Sequence, residues 1–342
     1  MNLLQNVSLA DYSTMGLGGP AAYLVTINSR QEVLEAWNWA KSKNLPALMI
    51  GGGSNIIWSD QGYKGLVMVN RILGFDLRPE DELNYYLTVG SGEIWDSVVE
   101  RTVVSGLTGI EALSLIPGST GATPVQNVGA YGQEISETLV SLEAYDTQTN
   151  EFVVLANEEC DFRYRQSRFK NQDHGRFFIT SIFLHLTKGQ PEPPFYSSVQ
   201  RYFETHDITE YTPAAMRAAV IDIRSNKLPD PAKVHNAGSF FANPVVAEDK
   251  LIDLRSSFEQ LPCWPLETGG AKLSAAWLIE QSGFKNYYDD DTGMATWPKQ
   301  PLVFVNYKAK SVADLIKFKQ KIVDAVNAKF GIELVQEPEQ LT

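Results

Sequence analysis

Cysteine, histidine and basic charge are all scarce in this chain. Two cysteines, Cys160 and Cys263, stand among 342 residues. They form no close-spaced pair and no disulfide framework. A reducing compartment is therefore expected, with each cysteine a small buried apolar residue. Four histidines, His174, His185, His206 and His235, are scattered without metal-ligand spacing, so no metal site is expected. Lys and Arg number 29 against 41 Asp and Glu, a net charge of -12. That balance argues against a basic groove for nucleic acid or an anionic membrane, although a local site can still take an anion. Long hydrophobic runs are missing too, since none approaches the roughly 18 apolar residues of a membrane span. The opening "MNLLQNVSLADYST" lacks the basic and continuous apolar regions of a signal peptide. A cytoplasmic protein without membrane insertion is expected.

What is present reads as an ordinary soluble globular protein. Hydrophobic residues make up 44% and charged residues 20%. The length suggests two or three domains of roughly 100–200 residues each. "SRQEVLEAWNWAKSKN" predicts a helix, with Ser29 and Glu32 at capping-box spacing and an apolar stripe of Val33, Leu34, Trp37 and Ala40. "ALMI" (47–50), "LVMV" (66–69) and "YYLTV" (85–89) read as strands, and 93–106 as a helix closed by Gly106. Strands resume at "LVSLEAYD", "EFVVL" and "RFFITSIFLHLT". "KGQPEPP" then breaks regular structure and marks a boundary near 188–195. Beyond it, Thr212 and Pro213 open a helix as N-cap and first helical residue. "AKLSAAWLIEQSG" reads as a second helix, "PLVFVN" as a strand, and "SVADLIKFKQKIVDAVNAKFG" as a long amphipathic helix. Ser311 and Asp314 suit its capping box and Gly331 its end. The pattern is a mixed α/β N-terminal domain followed by an α+β C-terminal domain.

Two glycine-rich passages carry chemical interest. In "MIGGGSNIIW" a strand runs straight into Gly51, Gly52 and Gly53, then Ser54 and Asn55. Glycine lets the backbone take φ > 0 and lets a ligand approach closely, and successive N–H groups then form a concave anion site suited to a pyrophosphate. A tight turn without a ligand has the same spacing. "GLGGPA" (16–21) fits a dinucleotide fingerprint in form. It follows no predicted strand and Pro20 interrupts it, so it reads as a turn. The passage "LIPGSTGATPVQNVGAYG" is long and nearly uncharged, with Gln126, Asn127 and Tyr131 as hydrogen-bonding groups. It needs something to pack against: a flat heteroaromatic cofactor, or its own residues as a buried loop. Ser239, in "NAGSFFANP" (236–244), is the remaining puzzle. A serine nucleophile needs a base and an orienting acid and often sits in G-x-S-x-G, which "AGSFF" is not. His235 lies four positions away with nothing to place it against the hydroxyl. The local sequence by itself favours a turn serine.

Taken together and in order, "GGGSNIIW", "IPGSTGATPVQNVGAYG", "FRYRQS", "KLPDP…NAGSFFANP" and the terminal "EPE" resemble the UDP-N-acetylenolpyruvoylglucosamine reductase family over about residues 14–339. The segment around "PPFYSSVQRYF" resembles the longer, type I-like class, in which a tyrosine-bearing loop closes over the substrate. The resemblance implies an α+β protein. It places a two-lobed FAD-binding domain of the vanillyl-alcohol-oxidase (PCMH) type at 17–189 and a C-terminal α+β substrate-binding domain at 190–342, whose last residues return to the active site. FAD is the implied cofactor, NADPH the hydride donor and UDP-N-acetylglucosamine enolpyruvate the substrate, reduced to UDP-N-acetylmuramate. A monomer is the favoured state. Gly51, Gly52, Gly53, Ser54 and Asn55 are implied to wrap the FAD pyrophosphate. Pro117, Gly118, Ser119, Gly121, Ala122, Gln126, Asn127, Gly129, Ala130, Tyr131 and Gly132 are implied to lie against the isoalloxazine.

The same resemblance makes Ser239 a proton donor rather than a nucleophile, since a weak acid suffices toward a strongly basic carbanion. Arg165 matches the catalytic arginine, with Arg163 and Arg168 as decoys, and a guanidinium suits a carboxylate and its enolate. Glu339 matches the catalytic glutamate, with Glu337 as decoy, and helps if its carboxyl is protonated or shares a proton. Tyr196, Lys227, Asn243, Lys285 and Gln300 match substrate-binding positions, the two lysines meeting the diphosphate as point charges. The chain departs from the pattern in places. Gln336 stands where an apolar residue usually precedes "EPE", Trp297 where a histidine is common, and "GFKN" where "GLKG" is more usual. The chain ends three residues after Glu339, where the family commonly continues.

Overall fold

The computed structural model describes residues 1–266 and 269–342. The chain forms two compact units, each drawn from separated stretches of sequence. The first comprises Met1–Val7, Ala21–Gly53 and Lys64–Asn226, the second Ser8–Pro20, Ser54–Tyr63 and Lys227–Thr342.

The first unit holds two sheets. One has the order Leu4–Ser8, Pro20–Ile27, Tyr63–Asn70, Ala47–Ile50. The last two are parallel, with Ile50 paired to Val69, so the chain leaves that sheet at Gly51. Helix Arg30–Ser42 packs Val33, Ala36 and Ala40 against Val25, Ile27, Leu66 and Met68 of this sheet. Its start is capped as the sequence predicts, the Ser29 hydroxyl accepting from the Glu32 N–H at 3.2 Å. The second sheet runs Glu151–Ala156, Leu139–Asp146, Phe177–Lys188, Asn84–Gly90, Phe75–Pro79, and the short Leu107–Thr108 also pairs with Phe177–Lys188. Helix Trp95–Val104 buries Trp95, Val98 and Val99 on it against Leu87, Val89, Ile182 and Leu184. These two sheets form the two lobes expected of the FAD-binding part of an α+β protein. The unit continues past the 188–195 break to Asn226. Helices Ser197–Thr205 and Pro213–Lys227 close a core of Ala112, Val199, Phe203, Met216, Ala219 and Val220.

The second unit is built on a four-stranded sheet, His235–Ser239, Gln300–Asn306, Met294–Trp297, Tyr288–Asp289. Helix Val312–Phe330 buries Leu315, Phe318, Ile322 and Val326 in the same core as Phe240 and Phe304, whose rings stack at 4.4 Å. Its Ser311–Asp314 capping box and left-handed Gly331 (φ 62°) are those read from the sequence. One predicted element differs. "AKLSAAWLIEQSG" is not a single helix, because Ala271–Leu273 is the middle strand between Val245–Val246 and Cys263–Pro265. The Ser274 hydroxyl accepts from the Trp277 N–H at 3.2 Å, so the helix starts only at Ala275. It ends in a wide turn over Glu280–Phe284. Tertiary pairing overrode the apolar spacing that favoured helix. No helix among the described residues is long and apolar enough to cross a membrane.

Candidate active site

The glycine loops meet in the first unit. Gly51–Gly53 leaves strand Ala47–Ile50 and touches the loop at 118–122. A Cβ on Gly52 would stand 3.0 Å from the Gly118 Cα, and one on Gly51 would fall on the Ser119 hydroxyl. Gly53 (φ 68°) and Gly118 (φ 123°) occupy conformations that favour glycine. The 117–122 stretch is stitched down by backbone bonds: Trp95 N–H to the Gly118 carbonyl (3.1 Å), Thr120 N–H to Glu93 (2.9 Å) and Gly121 N–H to Ser91 (2.8 Å). The two glycine turns are in close contact with each other, and glycine turns of this kind can offer main-chain N–H groups to a diphosphate. The residues fit FAD. Ser54 and Asn55, the continuation of the first loop, lead into strand Ile56–Trp58 of the second unit.

The rest of the second loop forms a hairpin. Gly129–Ala130 pairs with Gln133–Glu134, and both turn residues have positive φ, Tyr131 at 50° and Gly132 at 89°. That is the two-residue turn whose twist suits a hairpin, and glycine is at home there while tyrosine is not. Asn127 does not reach outward. It is 1% exposed, and its amide donates to Glu134 Oε2 (2.6 Å) and the Arg163 carbonyl (3.3 Å). Its oxygen accepts from the Ser136 N–H at 3.2 Å. Asn127 therefore shapes the loop, and only its backbone is left to meet a ligand.

Arg165 stands on a neighbouring tight turn. Arg163 and Gln166 exchange backbone bonds at 3.1 and 3.0 Å, and Arg165 is left-handed at φ 56°. Strain of this kind collects at functional sites. Its Nη2 donates to the Gly129 carbonyl at 2.7 Å, which joins the turn to the Tyr131 hairpin. The Ser167 hydroxyl donates to the Val125 carbonyl at 2.5 Å and fixes the turn from the other side. The two decoy arginines have other employment. Arg163 pairs with Asp161 at the surface, and Arg168 bonds Asp173 at 2.7 Å. Asp173 also holds Arg176, whose guanidinium bridges to Asp146 at 2.6 Å and keeps that carboxyl down at about 2.

Arg224 is a residue the sequence reading missed. Its Nε is buried without a hydrogen-bond partner among the described residues. Burial lowers its pKa, opposed by the Tyr131 hydroxyl and by Asp96, while Arg165 acts in the same direction as burial. Tyr131 is pushed up by its own burial, with Arg224 opposing. Nearby, Arg217 forks onto Asp96 at 2.6 and 3.1 Å. The available signal was spacing: Arg224 precedes Lys227 by three positions on one helix, which puts both on one face. Tyr196, just before helix Ser197–Thr205, is exposed and sets its ring edge-on to Tyr131 at 5.6 Å.

In the second unit, Ser239 ends strand His235–Ser239. The pairing with Gln300–Asn306 slips between Asn236 and Ser239, and Gly238 there has φ 70°. The Asn236 side chain accepts from the Gly238 N–H at 3.0 Å and fixes this bulge. Such bulges re-aim side chains beside active sites. His235 is engaged elsewhere, its Nδ1 donating to the Thr14 carbonyl at 3.3 Å. Glu339 opens strand Glu339–Leu341, parallel to Ile56–Trp58, and its N–H donates to the Asn55 carbonyl at 2.9 Å. Residues 335–337 pair with 240–242, so the Ser239 strand and the Glu339 tail are neighbours. Trp297 pairs with Gln300 and donates its Nε1 to the Lys227 carbonyl at 3.1 Å, which brings those two substrate candidates together. Asn243 accepts from the Ala275 N–H at 3.0 Å, and Lys285 pairs with Glu280 at 2.7 Å. Of the cysteines, Cys160 is buried, its thiol pushed up to about 12, and Cys263 is partly exposed.

The loop contact gives a direct test of the cradle. Gly52→Ala is expected to force the two glycine turns apart and weaken FAD binding by about tenfold, or ~1.4 kcal/mol. Flavin content after purification and FAD titration of the apoprotein measure it. Unchanged FAD affinity would remove Gly52 from the cofactor site.

An FAD binding domain model matches residues 21–155, and a model of the UDP-N-acetylenolpyruvoylglucosamine reductase C-terminal domain matches residues 230–341. The chain is 39% identical over 330 residues to the UDP-N-acetylenolpyruvoylglucosamine reductase of Cupriavidus pinatubonensis, covering 96% of each. It is 36% identical over 334 residues to that of Escherichia coli, covering 98% of this chain and 95% of the relative. Among solved structures, the UDP-N-acetylenolpyruvylglucosamine reductase from Thermus caldophilus shares the fold, with a TM-score of 0.69 and 23% identity over 100% of both chains. With that extent of identity across nearly its whole length, the chain belongs to the UDP-N-acetylenolpyruvoylglucosamine reductase family.

Proposed function

We propose that this chain reduces UDP-N-acetylglucosamine enolpyruvate to UDP-N-acetylmuramate with NADPH, in peptidoglycan precursor synthesis. It acts in the cytoplasm, with 17–189 as the FAD-binding segment and 190–342 as the substrate-binding segment. The observation that carries this is the glycine cradle at 51–53 and 118–119, fit for FAD, in a chain of this family. Bound FAD supplies the redox chemistry, hydride from NADPH being passed on to the enolpyruvyl double bond.

The chain's own residues supply charge and a proton. Hydride addition at one alkene carbon leaves charge on the other, delocalised as an enolate into the carboxylate it carries. Arg165 neutralises that charge, and its fork matches the carboxylate geometry. Arg224 adds a second guanidinium in the same unit. The Ser239 hydroxyl gives its proton to the carbon adjacent to the one that receives hydride, and recovers a proton from solvent. Glu339 shares a proton with the developing enolate. Tyr196, Lys227, Asn243, Lys285 and Gln300 hold the nucleotide sugar, the lysines at its diphosphate. Gly51–Gly53 with Ser54, Asn55 and the 117–132 loop hold FAD, and they do so through backbone groups where Asn127 is concerned.

The test is an anaerobic spectrum of the FAD-loaded protein. Flavin absorbance is expected to bleach with NADPH and to return on adding UDP-N-acetylglucosamine enolpyruvate. A flavin that bleaches and stays reduced would reject the substrate while keeping the cofactor.

A further inference from the structure

We propose that Gln336 is a positioning residue for Glu339, a role that rests on the catalytic reading of Glu339 given above. The tail after helix Val312–Phe330 makes two short pairings in succession. Residues 335–337 run antiparallel to 240–242, with Ala242 N–H on the Val335 carbonyl and Glu337 N–H on the Phe240 carbonyl, both at 3.0 Å. Glu339–Leu341 then runs parallel to Ile56–Trp58. The tail changes partner at Pro338, a buried residue with no N–H to give. A carbonyl at such a corner loses its place in either ladder, and leaving it unpaired in the interior destabilises the corner.

Gln336 satisfies that carbonyl. Its Nε2 donates to the Pro338 oxygen at 2.7 Å, and its Oε1 accepts from Lys319 Nζ at 3.3 Å. Lys319 belongs to helix Val312–Phe330 and lies on its core-facing side, four residues after the buried Leu315 and three before the buried Ile322. The amide thus ties the corner directly before Glu339 to a rigid element. The ladder beyond is three residues long, the short end of the range for a strand. Leu334 and Leu341 anchor the tail by burial on either side of the corner. Burial is non-directional, whereas the amide fixes the direction in which the chain leaves Pro338. Where the family pattern has an apolar residue before "EPE", this chain holds the corner by hydrogen bonds.

The test uses the FAD-loaded protein and Gln336→Leu, which keeps side-chain bulk and removes both bonds. Amide exchange across Glu339–Leu341 is expected to accelerate about tenfold, as is proper when a local closure is lost. Return of flavin absorbance on adding substrate is expected to slow about tenfold, in keeping with a small displacement of a catalytic group. Bleaching by NADPH is expected to keep its rate, which a general loss of folding would not allow. Lys319→Met leaves the Pro338 bond in place and is expected to show a smaller change in the same two readouts. Unchanged tail exchange in Gln336→Leu would overturn the proposal. Glu339→Gln separates the two possible failures. If it matches the parent, the catalytic reading falls and the positioning role with it. If it is slow while Gln336→Leu is not, only the positioning role falls.

Discussion

Ser239→Ala is expected to bleach with NADPH at the parent rate and to recover its flavin absorbance with substrate about 10³-fold more slowly. The size follows from removing a positioned general acid, typically worth roughly 10²–10⁴ in rate. The asymmetry follows from the chemistry, since proton delivery to carbon belongs to the second half alone. The structure makes the substitution clean. The bulge that aims residue 239 is fixed by the Asn236 side chain and by Gly238 at φ 70°, neither of which depends on the Ser239 oxygen. Phe240, next along, is locked in the core on Phe304. Alanine therefore removes one hydroxyl and leaves the backbone path. Stopped-flow absorbance of the two half-reactions measures the effect. Equal slowing of both halves would reassign Ser239 to holding the fold, and an undiminished second half would reject proton donation.

Much of this fold is legible in the sequence because its signals are local. Capping residues set helix starts at Ser29 and Ser311, and the strand-to-glycine step at Ile50–Gly51 marks a loop that the structure presses against Gly118. What escapes the sequence depends on partners far away along the chain. Residues 271–273 carry a helix-compatible pattern and become a strand because Val245–Val246 and Cys263–Pro265 lie on either side. The interleaving of the two units is also invisible locally, since Ser8–Pro20 and Ser54–Tyr63 join a unit otherwise built from Lys227 onward. Asn127 illustrates the same limit within the candidate site. The motif marks it as a hydrogen-bonding group near a flat ligand, and only the fold shows its side chain committed to Glu134, Arg163 and Ser136. Arg224 stayed hidden for the opposite reason. One arginine on a helix reads as a surface charge until a buried, unpartnered Nε is seen beside Tyr131.

Arg165→Lys is expected to slow the substrate half-reaction about 10²-fold, ~3 kcal/mol of lost enolate stabilisation, with bleaching by NADPH unchanged. Charge is conserved, so the loss reports geometry. A guanidinium can keep its bond to the Gly129 carbonyl through Nη2 and still present further N–H groups to a carboxylate. An ammonium on a flexible stem is one point charge and must choose. The backbone argument sharpens the comparison. Residue 165 is left-handed at φ 56°, and lysine bears the same strain as arginine there, so the turn closed by Arg163 and Gln166 persists. Arg163→Lys is the matched control, because Arg163 is exposed and, among the described residues, its side chain pairs with Asp161 alone. It is expected to leave both half-reactions within about twofold, as surface pairs contribute little. Arg165→Lys at the parent rate would show that charge alone suffices and would remove the fork from the mechanism. Equal losses in the two lysine variants would move the role from Arg165 to the turn that carries both.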